Sequence, residues 1–475
     1  MSSFIVETHL NVCAFQFHKL EKAFKYAHII YTRLVSYEKK KLEHFDLLDD
    51  VKSIRDKLRH NNQNAKLKKA LSYYRKQCQL TKFDIIKDVN LFYKDYKEYI
   101  TSQMAQSIAK RVNEAITKYI ENVDVELHTT RLTTSIESES TTNGIKFDGH
   151  NVIYANMILP IKVRKDSYFN DALDKCELKY IRIVKRTGKT KTYYVAQFVF
   201  KGEAITSRRI ELGKGDVGID IGTSTIAYCS KDKIKIEELS KEIERTNNKI
   251  STINQKMDNS RKANNKDNFN DDGTIKKKEE RKPWYNSKNY KRLRRKRKYL
   301  LSKFANQRKN LYEIQVNELL TNGDRFIVEQ MDFKSFQKRK KETLKDEKGR
   351  FLKKARYGKS IGLHAPSLFL NILNRKLSYL GKSLLKVNTR TFKASQYDHI
   401  KNEYIKCDLD TRIKDIGGHK VQRDLYSAFL LMNAKEDLQE TDIKKCNDNF
   451  ERFLSLHEIE IKRLTKQENI SCIGI

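Results

Sequence analysis

Gly215-Asp-Val-Gly-Ile-Asp-Ile-Gly-Thr-Ser224 decides how this chain is read. Its short apolar run is too brief for a helix and is bounded by glycines, which predicts a buried strand with Asp220 near its end. A second run of the same kind, Arg325-Phe-Ile-Val-Glu329, ends on Glu329. Further on, Val421-Gln-Arg-Asp-Leu-Tyr-Ser-Ala-Phe-Leu-Leu431 places Asp424 at the opening of an apolar, helix-spaced stretch. Three carboxylates carried by two strands and a helix form an all-oxygen donor set for a hard divalent cation such as Mg²⁺, with Mn²⁺ the alternative ion.

Each acid also has a plain structural reading. Asp220 fits a residue that ends a strand, and Glu329 fits a sheet-end carboxylate reaching water. Asp424 fits a helix N-cap, the usual role of Asp before an apolar helical run. The string Gly218-Ile-Asp-Ile-Gly-Thr223 also opens the phosphate hairpin of actin-like kinases. Its position more than 200 residues into a basic chain, with no second glycine-rich phosphate loop, argues against that use.

Lys and Arg number 97 against 61 Asp and Glu, giving a net charge of +36 over 475 residues. Such an excess points to a polyanionic partner, and a carboxylate cage then suggests a nucleic-acid phosphodiester as substrate. No apolar stretch approaches the ~20 residues of a membrane span, and the amino terminus lacks signal-peptide order. Seven cysteines are scattered without a C-x-x-C pair, which suits a reducing cytoplasm; a bacterial, nucleoid-associated location is the matching expectation for so basic a chain.

Periodicity divides the chain into four segments. Residues 1–18 contain one strand, Phe4 to Ala14. Residues 19–122 are helical, with Phe24, Ala27, Ile30, Tyr31 and Leu34 in step and Phe92–Ile100 continuing the pattern. Interleaved Tyr and Lys give these helices basic outer faces, which suit solvent or a nucleic-acid groove. Residues 123–212 alternate with period two and carry turns at Asp148-Gly149 and Thr187-Gly-Lys189, so they complete a small β-barrel with the first strand. Residues 213–475 are α/β, with a helix expected from about Ile236 to Met257 and a looser stretch from Asn264 to Asn286. A long helix follows from Ser287 to Thr321 on a stripe of Tyr290, Leu293, Leu300, Phe304, Leu311 and Ile314. That helix carries the densest positive run, in which Arg294, Arg295 and Arg297 are candidate phosphate contacts.

With these motifs in hand, the half from about Gly213 to Asn433 resembles the nuclease domain of the transposon-encoded TnpB family, relatives of the compact type V CRISPR (Cas12-like) effectors. The resemblance rests on Gly218-Ile-Asp-Ile-Gly222, the basic helix ending Asn306-Gln-Arg-Lys309, Ile327-Val-Glu-Gln-Met331, Lys393-Ala-Ser-Gln396 and Gln422-Arg-Asp-Leu-Tyr-Ser-Ala428. The upstream strand–helices–strands layout is similar to that family's wedge and recognition domains by pattern alone. It implies a multidomain α+β protein: a ribonuclease H-like (RuvC) α/β nuclease domain behind a β-barrel with an inserted helical domain. It further implies an RNA-guided DNA endonuclease with guide RNA and double- and single-stranded DNA as partners, reading a short target-adjacent motif. Cleavage would use two Mg²⁺ held by Asp220, Glu329 and Asp424. Lys393, Gln396 and Arg423 are further nucleic-acid contacts on this reading.

The chain departs from the family in two places. Relatives carry a four-cysteine zinc ribbon where residues 394–420 offer only His399, Cys407 and His419 without paired spacing, so structural zinc is not expected. The usual Asp-Arg-Asp-x-Asn-Ala-Ala frame has become Gln422-Arg-Asp-Leu-Tyr-Ser-Ala428, which keeps Asp424 but lacks one acid and the Asn. A guided repressor that no longer cuts, or a conventional DNA transposase, are the competing functions. The sequence assigns no role to residues after about Lys435.

Overall fold

In the computed structural model, residues 3–60, 64–121, 127–128, 133–163, 168–189, 191–202, 205, 211–241, 244–337, 357–406 and 411–466 are described. The chain forms two compact units, Met1–Ile205 and Thr206–Ile475. Among the described residues, no helix is long and apolar enough to cross a membrane.

The first unit begins with strand β1 (Ser3–Leu10), then helices α1 (Ala14–Leu47), α2 (Asp49–His60), α3 (Ala65–Gln77), α4 (Lys82–Asp88), α5 (Asn90–Tyr93) and α6 (Ser102–Glu121). Strands β2 (Ser135–Ser138), β3 (Ile145–Phe147), β4 (Asn151–Tyr154) and β5 (Met157–Lys162) follow. Helix α7 (Tyr168–Lys175) and the long strands β6 (Leu178–Thr187) and β7 (Thr192–Lys201) complete it. The seven strands form one sheet in the order β2-β6-β7-β1-β5-β4-β3, so the amino-terminal strand lies between partners that follow the helices in the chain. The helices are therefore an excursion from the sheet.

The sheet curls, because Phe147 of β3 meets Phe198 of β7 edge-on at 5.0 Å although the two strands are not neighbours. No ladder joins β2 to β3 among the described residues, so the expected barrel takes the form of an open, curled sheet. Leu20, Phe24, Ala27, Ile30 and Leu34 of α1 are buried at helical spacing, and Phe24 lies 5.7 Å from Tyr194 of β7. The expected helix over Phe92–Ile100 does not form: α5 ends at Tyr93, and a single 3₁₀ turn, Lys94–Tyr96, follows. Tyr96 and Tyr99 instead fold back onto Tyr26, at 4.6 and 5.2 Å, so tertiary aromatic packing overrides the helical spacing.

The second unit opens with strands β8 (Asp216–Ile221), β9 (Thr225–Ser230) and β10 (Ile234–Glu238), then helices α8 (Glu244–Ala263) and α9 (Lys288–Leu320). Strand β11 (Arg325–Glu329), helices α10 (Gly358–His364) and α11 (Pro366–Tyr379), strand β12 (Leu385–Val387) and helix α12 (Thr389–Phe392) come next. Two small hairpins, β13 (Tyr397–Asp398) with β14 (Glu403–Tyr404) and β15 (Ile413–Ile416) with β16 (His419–Gln422), precede helices α13 (Arg423–Met432) and α14 (Ile443–Thr465).

The five-stranded sheet runs β10-β9-β8-β11-β12, antiparallel across the first three and parallel from β8 onward. The expected helix start at Ile236 is incorrect. Ile234-Lys-Ile-Glu-Glu238 pairs with β9, and its period of two buries Ile234 and Ile236. Along α9 the core stripe also differs from expectation: Ile314 is exposed, while Tyr312, Val316 and Leu319 are buried. Tyr312 is tolerated inside because its hydroxyl meets Ser240 and the His364 carbonyl.

Helix α14 gives the carboxy-terminal stretch a structural task. Glu460 Oε1 accepts the Ile236 N–H at 2.8 Å, Arg463 donates to the Ile236 carbonyl at 3.1 Å, and His457 Nε2 accepts the Gln422 N–H at 2.9 Å.

Candidate functional site

Asp220, Glu329 and Asp424 belong to three elements that the fold brings to one place. Val328 is in register with Ile219 in the parallel pair β8–β11, and one further step sets Glu329 beside Asp220 at the carboxyl ends of both strands. Helix α13 crosses β8 closely enough that a Cβ on Gly218 would overlap the Ala428 carbonyl and the Met432 nitrogen. Two residues along β8 advance ~6.6 Å, and four residues back along α13 retreat ~6 Å. Asp220 therefore faces the first turn of α13, where Asp424 and Ser427 lie.

The electrostatics agree with this placement. Burial pushes the Asp220 carboxyl well above the usual carboxylate range, and the charges of Asp424 and Glu329 push it further. Arg423 and a hydrogen bond with Ser427 partly oppose this. Burial also raises Glu329, and the Ala394 N–H, donating to its Oε1 at 3.1 Å, works against the rise. That amide is aimed by Lys393, which sits in the left-handed region at φ 46°.

Asp424 is not the N-cap of α13. Gln422 holds that role, its side-chain oxygen accepting from the Leu425 N–H at 2.8 Å. Asp424 instead lies between two guanidinium groups: Arg423 Nε is 3.2 Å from one oxygen and Arg412 Nη1 is 3.7 Å from the other. Each acid thus has its own partner, and among the described residues no three His, Cys, Asp or Glu side chains already form a ligand set. The donors are nonetheless all carboxylate oxygens, and the charges of Asp424 and Glu329 both disfavour charge on Asp220. An all-oxygen donor set of this kind suits a hard cation such as Mg²⁺.

The other candidate residues occupy varied settings. Lys393 is exposed, with its ammonium 5.6 Å from the Tyr404 ring. Gln396 is half-buried, and its backbone ties Lys393 to Ile405. Arg294, Arg295 and Arg297 lie exposed on α9, with no carboxylate partner among the described residues. His399 is buried, with Nδ1 2.7 Å from the Tyr426 hydroxyl, whereas His419 is exposed; Cys407 lies outside the described residues.

Arg412, Ser427 and the Ala394 amide were not singled out from the sequence. Ser427 was readable, since it stands three residues after Asp424 on the same helix face. Arg412 was within reach too, because the Gly417-Gly418 turn closes a local hairpin, Ile413–Ile416 with His419–Gln422, that brings Arg412 back to Arg423.

No family model matches the sequence, and no curated protein matches it in sequence. Solved structures give a likeness in three dimensions. A Cas12f1–sgRNA–target DNA complex superposes with a TM-score of 0.45 at 11% identity, over 91% of this chain and 99% of that one. A CRISPR-Cas12f ternary complex does so with a TM-score of 0.24 at 14% identity, over 88% and 82%. At this level of superposition, the reading of the site rests on its own geometry.

Proposed function

We propose that this chain is an RNA-guided DNA endonuclease whose single nuclease centre is built on Asp220, Glu329 and Asp424. One arrangement carries the reading: half-buried Asp220 stands at the carboxyl end of β8, beside Glu329 on the adjacent parallel strand and facing the first turn of α13, where Asp424 lies. Such an arrangement is costly to folding and is explained by a bound cation. The strand order, three antiparallel strands followed by two parallel ones, supports a ribonuclease H-like (RuvC) domain. The net charge of +36 supports a nucleic-acid substrate.

Asp220, as the central acid, would ligate Mg²⁺ together with Glu329 and Asp424. A bound divalent ion would supply Lewis acidity and lower the pKa of an attacking water. The Ala394 amide holds Glu329 in position. Arg423 and Arg412 restrain Asp424, and on this reading their positive charge would also attract the scissile phosphate. Guide pairing would read the target sequence, while the protein reads duplex shape and a short adjacent motif. Retention of all three acids favours cutting over guided repression.

Sequencing the RNA that copurifies with the full chain tests the guided part. One discrete structured species is expected, and a random mixture would overturn it. Asp220→Ala is expected to abolish cleavage while guide and target binding stay near wild type. Parallel loss of RNA binding would mean that Asp220 serves the fold instead.

A further inference from the structure

Helices α8 and α9 pack as an antiparallel pair, and their connection, residues 264–287, is folded rather than loose. Asn265 and Asn268, both buried, clamp its two sides together. Asn265 Nδ2 donates to the Tyr285 carbonyl at 3.0 Å and its Oδ1 accepts the Tyr285 N–H at 2.7 Å. Asn268 does the same for Lys282, at 2.9 and 2.7 Å. Trp284 is held under the Arg261 guanidinium at 3.8 Å and against Phe269 at 5.8 Å. The next residue, Tyr285, is 62% exposed on this braced backbone. An aromatic ring held outward in this way loses little freedom when something stacks on it.

Between the two helices lies a cleft of about 540 Å³. Ile253 and Leu293 form an apolar floor, and Lys256, Arg292, Lys296 and Asn289 line the sides. Asn289, Arg292, Leu293 and Lys296 follow the i, i+3, i+4, i+7 spacing of one helix face, so α9 turns this stripe into the cleft. No acidic residue lines it, and the three cations have no carboxylate partner among the described residues. Tyr285 stands two residues before Ser287, whose hydroxyl is 3.3 Å from that of the lining residue Ser260. Arg294, Arg295 and Arg297 do not line this cleft.

We propose that the cleft at the α8–α9 root, together with Tyr285 just beyond its Ser260 end, binds a single-stranded polynucleotide: Lys256, Arg292 and Lys296 take backbone phosphates and Tyr285 stacks on an unpaired base. The cleft has the volume of a small-ligand pocket, about 300–1,000 Å³, which admits a nucleotide but not a duplex. Basic walls over an apolar floor, next to an outward aromatic, are what an unstacked strand requires. The proposal rests on the nuclease reading only in taking that strand to belong to the guided complex, as RNA or as displaced DNA.

The test uses the full chain with fluorescein-labelled RNA and DNA single strands and duplex DNA of matched sequence, followed by anisotropy across a salt series. Tyr285→Ala is expected to weaken single-strand binding about tenfold, with Tyr285→Phe restoring it and duplex binding nearly unchanged. Replacing Lys256, Arg292 and Lys296 together by Gln is expected to reduce the single-strand salt slope by about 2. These residues lie on the surface, so both variants are expected to melt with the wild type. If Tyr285→Ala alone unfolds, the triple variant carries the test. A loss confined to RNA or to DNA identifies the bound strand, and either result supports the site. Wild-type single-strand affinity in both variants, or an equal loss for duplex, would overturn it. Asp220→Ala is expected to leave this affinity intact, so a failed nuclease reading and a failed cleft give different results.

Discussion

Gly218 on β8 faces the Ala428 carbonyl on α13 with no room for a methyl group between them. This close approach sets the height at which α13 crosses the sheet, and so the distance from Asp220 to Asp424.

Gly218→Ala should therefore force the helix away from the strand. Overpacking of this kind costs about 1–3 kcal/mol, and the upper end is expected because backbone atoms block the new Cβ. Urea unfolding measures this, and cleavage should fall further than the lost stability explains. Gly358→Ala is the control: its Cβ meets nothing within 4 Å, so stability should be unchanged or slightly higher.

Asp220→Asn should stabilise the protein in chelator at neutral pH while removing activity. The raised Asp220 carboxyl means that the folded state binds its proton more tightly than the unfolded chain does. Stability from this group is thus lost as pH rises above the ordinary carboxylate range, and Asn removes that loss. In a unit of this size each kcal/mol moves the melting temperature by about 2–4 °C. Added Mg²⁺ should raise the melting temperature of the wild type more than that of the variant. A lower melting temperature for Asp220→Asn in chelator would show instead that the acid supports the fold.

Glu38 predicts acid stabilisation in the first unit. It is buried on α1 with Lys41 at 3.4 Å, and burial pushes its carboxyl from 4.5 up to about 7, with Asp88 adding to the rise. A raised folded value means that stability increases as pH falls from about 7 toward 4.5. Glu38→Gln should flatten that part of the melting profile and gain on the order of 1–3 kcal/mol at pH 8.

His457 predicts the opposite in the second unit. Burial lowers it from the ordinary 6.5, and its neutral Nε2 accepts the Gln422 N–H. Its contribution is complete above about 6.5 and is lost as pH falls through the depressed folded value. Protonation removes the acceptor at the start of α13. Thermal melts of wild type and His457→Leu at pH 8 and 5.5 should show the smaller acid loss in the variant.

Local chemistry made much of this readable from sequence. Asp148-Gly149 forms its turn between β3 and β4, and Ser287 opens α9 by accepting from Tyr290. The misread segment, Ile234–Glu238, is a five-residue strand whose identity depends on β9 beside it. The register that sets Glu329 beside Asp220 is likewise a product of pairing between distant segments. The basic run on α9 was visible, but sorting Arg292 and Lys296 from Arg294, Arg295 and Arg297 required knowing where α8 lies.

Strand β10 is the margin of its sheet, with one side open to additional chains. At its midpoint the ion-paired Glu460 and Arg463 answer both outward groups of Ile236, as a neighbouring strand would. Only two residues remain on each side, too few to template a ladder with another molecule. The carboxy-terminal helix thereby guards this sheet margin against edge-to-edge self-association.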